Sequence, residues 1–382
     1  KMGYLTKLKF LKDDMNLMYL SVFFSTLSAG LISIFVPIFL YSLHYSIIDI
    51  LLFYFLMSFY FVLFSIVGSK IVSKIGDKHA MLLSTPFTIL FYLGLVYGLS
   101  DFFYLLPLFA SIGAILYNFG YHLNFIVHAD SKNRGKQLSY LDIVSICGSV
   151  LSPFVGALII SIFGYDYIFW VGSILLFLSI FPLFLTKDSS EDCVDINLKK
   201  MLLFLKNGTN FRNFLSFSGY AIETSIGRII WPIFLIILFV NVEKVGFVVT
   251  VSISISVLIY YFLGKIIDKA DKKKFLKIST FFYFFGWIGR LFVDSVFKVL
   301  TVDSYKNLSE KVLLLFWSAK SYDIAAREKY FRFIVAREII YNLARIFVLP
   351  FIVLIFFINF HPFKISFIVA AMFTLLYPML SD

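Results

Sequence analysis

Charge is scarce in this chain. Of its 382 residues only 15% are Asp, Glu, Lys or Arg, while 60% are hydrophobic and the mean hydropathy is +0.90. A soluble domain needs a polar skin, so a single water-solvated core of this size is excluded. Cysteine is scarcer still. Cys147 in an apolar stretch and Cys193 in a charged loop are the only two, which rules out a disulfide framework and a Cys-rich metal site. Also missing are an H-E-x-x-H helix, a nucleophile elbow and a Walker-type phosphate loop. A membrane-embedded enzyme would need a convergent catalytic set, of which these are examples, and the missing Walker motif disfavours an ATP-driven pump. The chain is therefore expected to be no enzyme and to need no cofactor or metal.

The charges that are present fall in short runs between long apolar stretches, as in a chain whose surface is mostly solvated by lipid. The net charge is +11 and the pI about 9.3. Nucleic-acid binding would gather such charge on one wet face; here it collects at membrane boundaries, so no nucleic-acid partner is expected. The basic N-terminus precedes an apolar run too long for a signal-peptide core, which reads as a retained first span.

Stretches long enough to cross a hydrocarbon core of about 30 Å recur along the chain. They are expected at 16–41, 46–69, 80–99, 102–127, 138–163 and 167–185, then at 214–240, 245–267, 275–293, 296–318, 331–358 and 362–380. The expected class is thus an all-α integral membrane protein of about twelve spans. The tenth is the least typical, since Asp303, Lys306, Glu310 and Lys311 would each be costly against lipid. Lys70, Lys74, Lys78, Lys132, Arg134, Lys136, Lys265 and Lys269 fall in alternate loops, and the other loops are nearly bare. The positive-inside bias places both termini in the cytoplasm, with the plasma (inner) membrane as the expected location.

A polar break divides the chain into 1–186, a linker at 187–212 and 213–382. The linker holds an acidic run and then an amphipathic stretch, 198–206, suited to the inner membrane face. The two halves repeat each other. Ser69-Lys-Ile-Val-Ser73-Lys-Ile-Gly76-Asp-Lys78 is answered by Gly264-Lys-Ile-Ile-Asp268-Lys269-Ala-Asp-Lys-Lys273, 195 residues on (264 − 69). Leu151-Ser152-Pro153-Phe-Val is answered by Val348-Leu-Pro350-Phe-Ile, 197 residues on (350 − 153). Near-equal offsets argue for tandem halves of six spans.

The loop at 264–273, with its glycine, its acid four residues later and its basic tail, resembles the loop signature of the major facilitator superfamily. Gly148-Ser-Val-Leu-Ser152-Pro153-Phe-Val-Gly156-Ala157 is similar to a small-residue and proline pattern of antiporters in that superfamily. The resemblance implies a monomeric secondary transporter that moves a small solute by alternating access, drives it with protons and sits among membrane lipids. A lipid exporter and a non-transporting sensor share the fold and remain alternatives. It also implies a latch role for Asp268 at a helix terminus, with Ser73 and Ser69 replacing the acid and glycine in the first half.

Ionisable groups inside spans are candidates for function. Glu223 lies about ten residues into the seventh span, Arg345 is central in the eleventh, and Asp303, Asn307 and Glu310 recur at helical spacing in the tenth. Lys306 could neutralise Asp303 or Glu310, and Arg290 with Asp294 has the i, i+4 spacing of a structural pair. In the fourth span Tyr117, Tyr121 and Asn124 share a face, and His122 is either a proton relay or a hydrogen-bonded structural residue. In the superfamily the first, fourth, seventh and tenth spans line the cavity. By that resemblance Asn16, Ser25, Ser28, Tyr117, Tyr121, His122, Glu223, Arg228, Asp303 and Glu310 would line it here. Arg228 and Arg345 would either favour an anionic or zwitterionic substrate or be neutralised by Glu223 and Glu310. Glu223, with Glu310 second, is the expected proton carrier.

Overall fold

A computed structural model describes residues 14–128, 134–186, 208–267, 272–327 and 330–381. The helices are α1 (Asp14–Ile32), α2 (Phe35–Ser42), α3 (Ile47–Ile75), α4 (Asp77–Tyr97), α5 (Leu99–Phe102), α6 (Leu106–His128), α7 (Arg134–Val150) and α8 (Ser152–Phe163). They continue with α9 (Tyr165–Phe184), α10 (Gly208–Phe239), α11 (Val242–Ile267), α12 (Lys272–Gly289), α13 (Val296–Arg327), α14 (Tyr330–Ile358) and α15 (Pro362–Thr374). No strand occurs among the described residues. Helix is the element that satisfies its own backbone in lipid, and eight of these segments are long and apolar enough to cross a membrane. The protein is an all-α integral membrane protein.

Local chemistry sets the ends. At the start of α3 the Asp49 amide donates to Ser46 Oγ while the Ser46 amide and hydroxyl donate to Asp49 Oδ2, a reciprocal cap. Gly76 (φ 85°) and Gly164 (φ 99°) turn the chain into α4 and α9 through a conformation that side chains resist. The expected fifth span is broken at Leu151, because Pro153 in the first turn of α8 has no amide to continue the ladder of α7. The tenth runs beyond its expected end, to Arg327. Hydroxyls in the spans mostly turn back on their own helix, as when Thr224 Oγ1 donates to the Tyr220 carbonyl and Thr280 Oγ1 to the Leu276 carbonyl. With no water at that depth, a carbonyl one turn back is the available acceptor.

The chain forms two compact units, Lys1–Ser33 with Tyr60–Ile196 and Ile34–Phe59 with Asn197–Asp382. In the first, α4 packs on α6 and α9, and α1 packs on α7, α8 and α9. A Cβ at Gly148 would come within 2.5 Å of Thr26 Oγ1, and one at Gly30 within 2.8 Å of Ser152, so small residues set the approach of α1 to α7 and α8. In the second, α13 packs on α11 and α12, and α10 on α14, α15 and α2. The stretch 187–207, which includes Cys193 and the expected amphipathic segment, lies outside the described residues.

Candidate functional site

The second unit buries a polar cluster among aromatic rings. Glu223 on α10 is 1% exposed. Its Oε1 accepts the Tyr283 hydroxyl at 2.6 Å and the Trp287 indole N–H at 3.1 Å, both from α12. Its Oε2 accepts the Tyr377 hydroxyl at 2.9 Å, from the 3₁₀ turn Tyr377–Met379. All three donors are neutral. Neither arginine expected beside Glu223 is there. Arg228 is on another side of α10, five residues on, and has no acidic partner within ion-pair distance among the described residues. Arg345 Nη1 donates to Asn342 Oδ1 at 3.2 Å, one turn back on α14.

Lys306 on α13 reaches Glu223 electrostatically, but its Nζ is held by Glu310 Oε2 at 2.7 Å, so of the two local partners open to it Glu310 is the one taken. The ammonium lies over the rings of Tyr283 (5.3 Å) and Trp287 (5.5 Å), where the π faces favour a cation. A Cβ at Gly286 would fall 2.9 Å from Lys306 Cα, so glycine lets α12 and α13 close on each other here.

Asp303 has a structural setting. Its Oδ1 accepts Arg290 Nε at 3.0 Å and Nη2 at 2.6 Å, and its Oδ2 accepts the Trp231 indole N–H at 2.9 Å. The guanidinium lies over Trp231 (3.9 Å) and Trp287 (4.4 Å). The expected pair of Arg290 with Asp294 does not form. Helix α12 ends at Gly289, a 3₁₀ turn follows at Arg290–Phe292 and Val293 is extended, so helical spacing no longer holds at Asp294. Asp294 instead pairs with Lys298 at 2.6 Å in the open. The hydrogen bond from Lys298 holds this carboxyl below its ordinary range.

In the first unit Tyr117 and Tyr121 stack with centroids 6.0 Å apart, and the Tyr117 hydroxyl lies 2.7 Å from Ser25 Oγ. Tyr121 also meets the ring of His122 edge to face. Ser28 Oγ donates to the Gly172 carbonyl at 2.8 Å. Asn124 turns away from any open face and donates to Asp77, which is fully buried at the start of α4. Lys78, next along, caps α9 by donating to the carbonyls of Phe184 and Thr186. In the loop signature Ser73 Oγ donates to the Ser69 carbonyl and Ser69 Oγ to the Ile66 carbonyl, both within α3. Asp268 and Lys269 lie outside the described residues; Gly264 is in α11. Gly148, Ser152, Pro153 and Gly156 are all buried, and Ser152 Oγ donates to the Gly148 carbonyl.

The family model of the Major Facilitator Superfamily matches residues 18–318. The chain belongs to the major facilitator superfamily. Membership makes it a membrane transporter rather than an enzyme. A crystal structure of the nucleoside transporter NupG superposes with a TM-score of 0.70 at 10% identity, covering 96% of this chain and 97% of that one. A mutant of the same transporter gives 0.72 at 13% identity, covering 96% and 98%. At such identities the likeness is one of fold alone. No curated protein sequence matches the chain.

Proposed function

We propose that this chain is a proton-coupled secondary transporter of a small solute, working by alternating access between halves 1–186 and 213–382, with Glu223 as the proton carrier. The observation that supports it is the setting of Glu223. It is a carboxyl deep in a span, held by three neutral donors, and the cation that senses it is committed to Glu310. A carboxyl kept without a partner cation at that depth can be neutralised by a proton, and a change in its donors between conformations would release that proton. Glu310, fixed by Lys306, becomes the second candidate for this reason. Asp303, Arg228 and Arg345 leave the coupling role.

Antiport, with both termini cytoplasmic and the protein in the plasma membrane, completes the proposal; it rests on the small-residue pattern from Gly148 to Gly156 and on the lysine bias of alternate loops. The test is Glu223→Gln in sealed proteoliposomes. The variant keeps the shape and, through its amide oxygen, can keep the bonds from Tyr283 and Trp287, while the Tyr377 hydroxyl must turn to accept from the amide NH2. It cannot titrate, so it should lose uphill accumulation under a pH gradient and keep exchange down a gradient. A well-folded Gln variant that still accumulates substrate would remove Glu223 from the mechanism.

A further inference from the structure

The second unit holds two cations, Arg228 and Arg345, that form no ion pair among the described residues. Arg228 lies on α10, 11 residues before its end at Phe239, or roughly 16 Å at 1.5 Å per residue. Arg345 lies 13 residues before the end of α14 at Ile358, or roughly 20 Å. Both depths exceed what an arginine stem can snorkel to reach water. The two helices pack together, and each guanidinium lies within range of the other's charge. The nearby acid, Glu338, is already paired with Arg337 at 3.1 Å. Among the described residues Arg228 has no hydrogen-bond or ion-pair partner, and Arg345 has Asn342 alone.

Two like charges at mid-span cost energy unless something opposes them, and an exposed arginine at that depth must face water or a ligand rather than hydrocarbon. Arg228 is exposed and Arg345 half-buried, so neither residue is sealed inside the core of the unit. Tyr220 on α10 and Tyr341 on α14, whose rings lie 5.1 Å apart, are within electrostatic range of Arg345, and Arg337 lies over the Tyr341 ring at 5.6 Å.

We infer that Arg228 and Arg345 form the substrate site for an anion carrying two negative charges, with Asn342, Tyr220 and Tyr341 as its polar wall. This rests on the transport reading for its role and deepens it by giving the substrate class. A guanidinium offers a rigid fork of donors to an oxyanion, and two forks can grip a dianion from two helices. Release of the anion leaves the two cations to repel each other, so occupancy itself changes what α10 and α14 gain by staying together.

The test is thermal unfolding of the purified full chain with inorganic phosphate or succinate, against acetate and uridine at matched ionic strength. Phosphate or succinate should raise the melting temperature in a saturable way, by mass action on the folded state. Arg228→Gln and Arg345→Gln should each weaken that binding about ten- to a hundred-fold, the worth of one charge-assisted contact. Comparing parent and variants cancels the general stabilisation by salts. Without anion each variant should melt no lower than the parent, because it removes a repulsion. Saturation by neither dianion, equal stabilisation by uridine in parent and variants, or unchanged affinity in variants that melt lower without anion would each overturn the site. Dianion binding without flux in proteoliposomes would refute the transport reading and leave the site; pH-driven flux of a neutral solute untouched by either variant would refute the site and leave the transport reading.

Discussion

Replacing Asp303 by Asn tests whether this buried acid is a structural partner or a working group. The change keeps the shape of the side chain and can keep the bond from Trp231. It removes the charge opposite Arg290, whose side chain is 3% exposed and whose Nε and Nη2 both donate to Asp303 Oδ1. Hydrogen bonds between spans average about 0.6 kcal/mol in membrane proteins. Stranding a buried guanidinium costs about 3–5 kcal/mol. The charge term therefore dominates, and the stacking of Arg290 over Trp231 and Trp287 offsets only part of it. Unfolding in mixed micelles titrated with a denaturing detergent should show this loss for Asp303→Asn, and Arg290→Gln with Asp303→Asn together should recover most of it. An Asp303→Asn protein of parental stability that fails to accumulate substrate would refute the structural assignment and make Asp303 a proton carrier.

On α10, Gly219→Ala should destabilise strongly, since its Cβ would meet the Phe373 carbonyl oxygen at 2.6 Å, whereas Gly227→Ala, with Trp287 at 3.5 Å, should fold normally; thermal melts of the pair decide this. Asp77→Ala should cost about 1–3 kcal/mol by leaving the Asn124 amide unpartnered in the first unit, read by the same unfolding titration. Asp294→Asn should leave the melting temperature unchanged at neutral pH, because its pair with Lys298 is open to solvent; since that bond lowers the folded carboxyl, any contribution it makes is present at neutral pH and fades only as pH falls through the lowered value. A membrane-impermeant thiol reagent should label Asp166→Cys and Glu243→Cys in intact cells but not Cys193, and labelling of Cys193 would reverse the proposed orientation.

The class of fold was legible because a span writes itself in consecutive apolar residues, and each expected segment meets a helix or a pair of helices. Breaks were harder to see. Proline at 153 marks one only because α8 restarts there; Pro86, Pro182, Pro232 and Pro350 lie inside continuous helices. Glu223 stood out as a charge in an apolar run, but its partners did not. Tyr283 is 60 residues away and Tyr377 is 154, and in a chain with 49 Phe and 23 Tyr no single ring draws notice. The pairing of Arg290 failed because helical spacing was extended past a helix end that only Gly289 hinted at. Arg228 and Arg345 were visible as deep charges; that nothing among the described residues balances them required the fold.

Tyr377 has a consequence for how the protein is made. A ribosome emits Glu223 long before the 3₁₀ turn that supplies its last donor, 154 residues later. At about 5–20 residues per second that interval is roughly 8–30 s. Through it α10 carries a deep carboxyl short of a donor, and Ser216 waits for the Tyr377 carbonyl that will accept its hydroxyl. The second unit is thus locked from its C-terminal end, and a nascent chain stalled before that turn would present an unfinished polar patch to membrane chaperones and proteases.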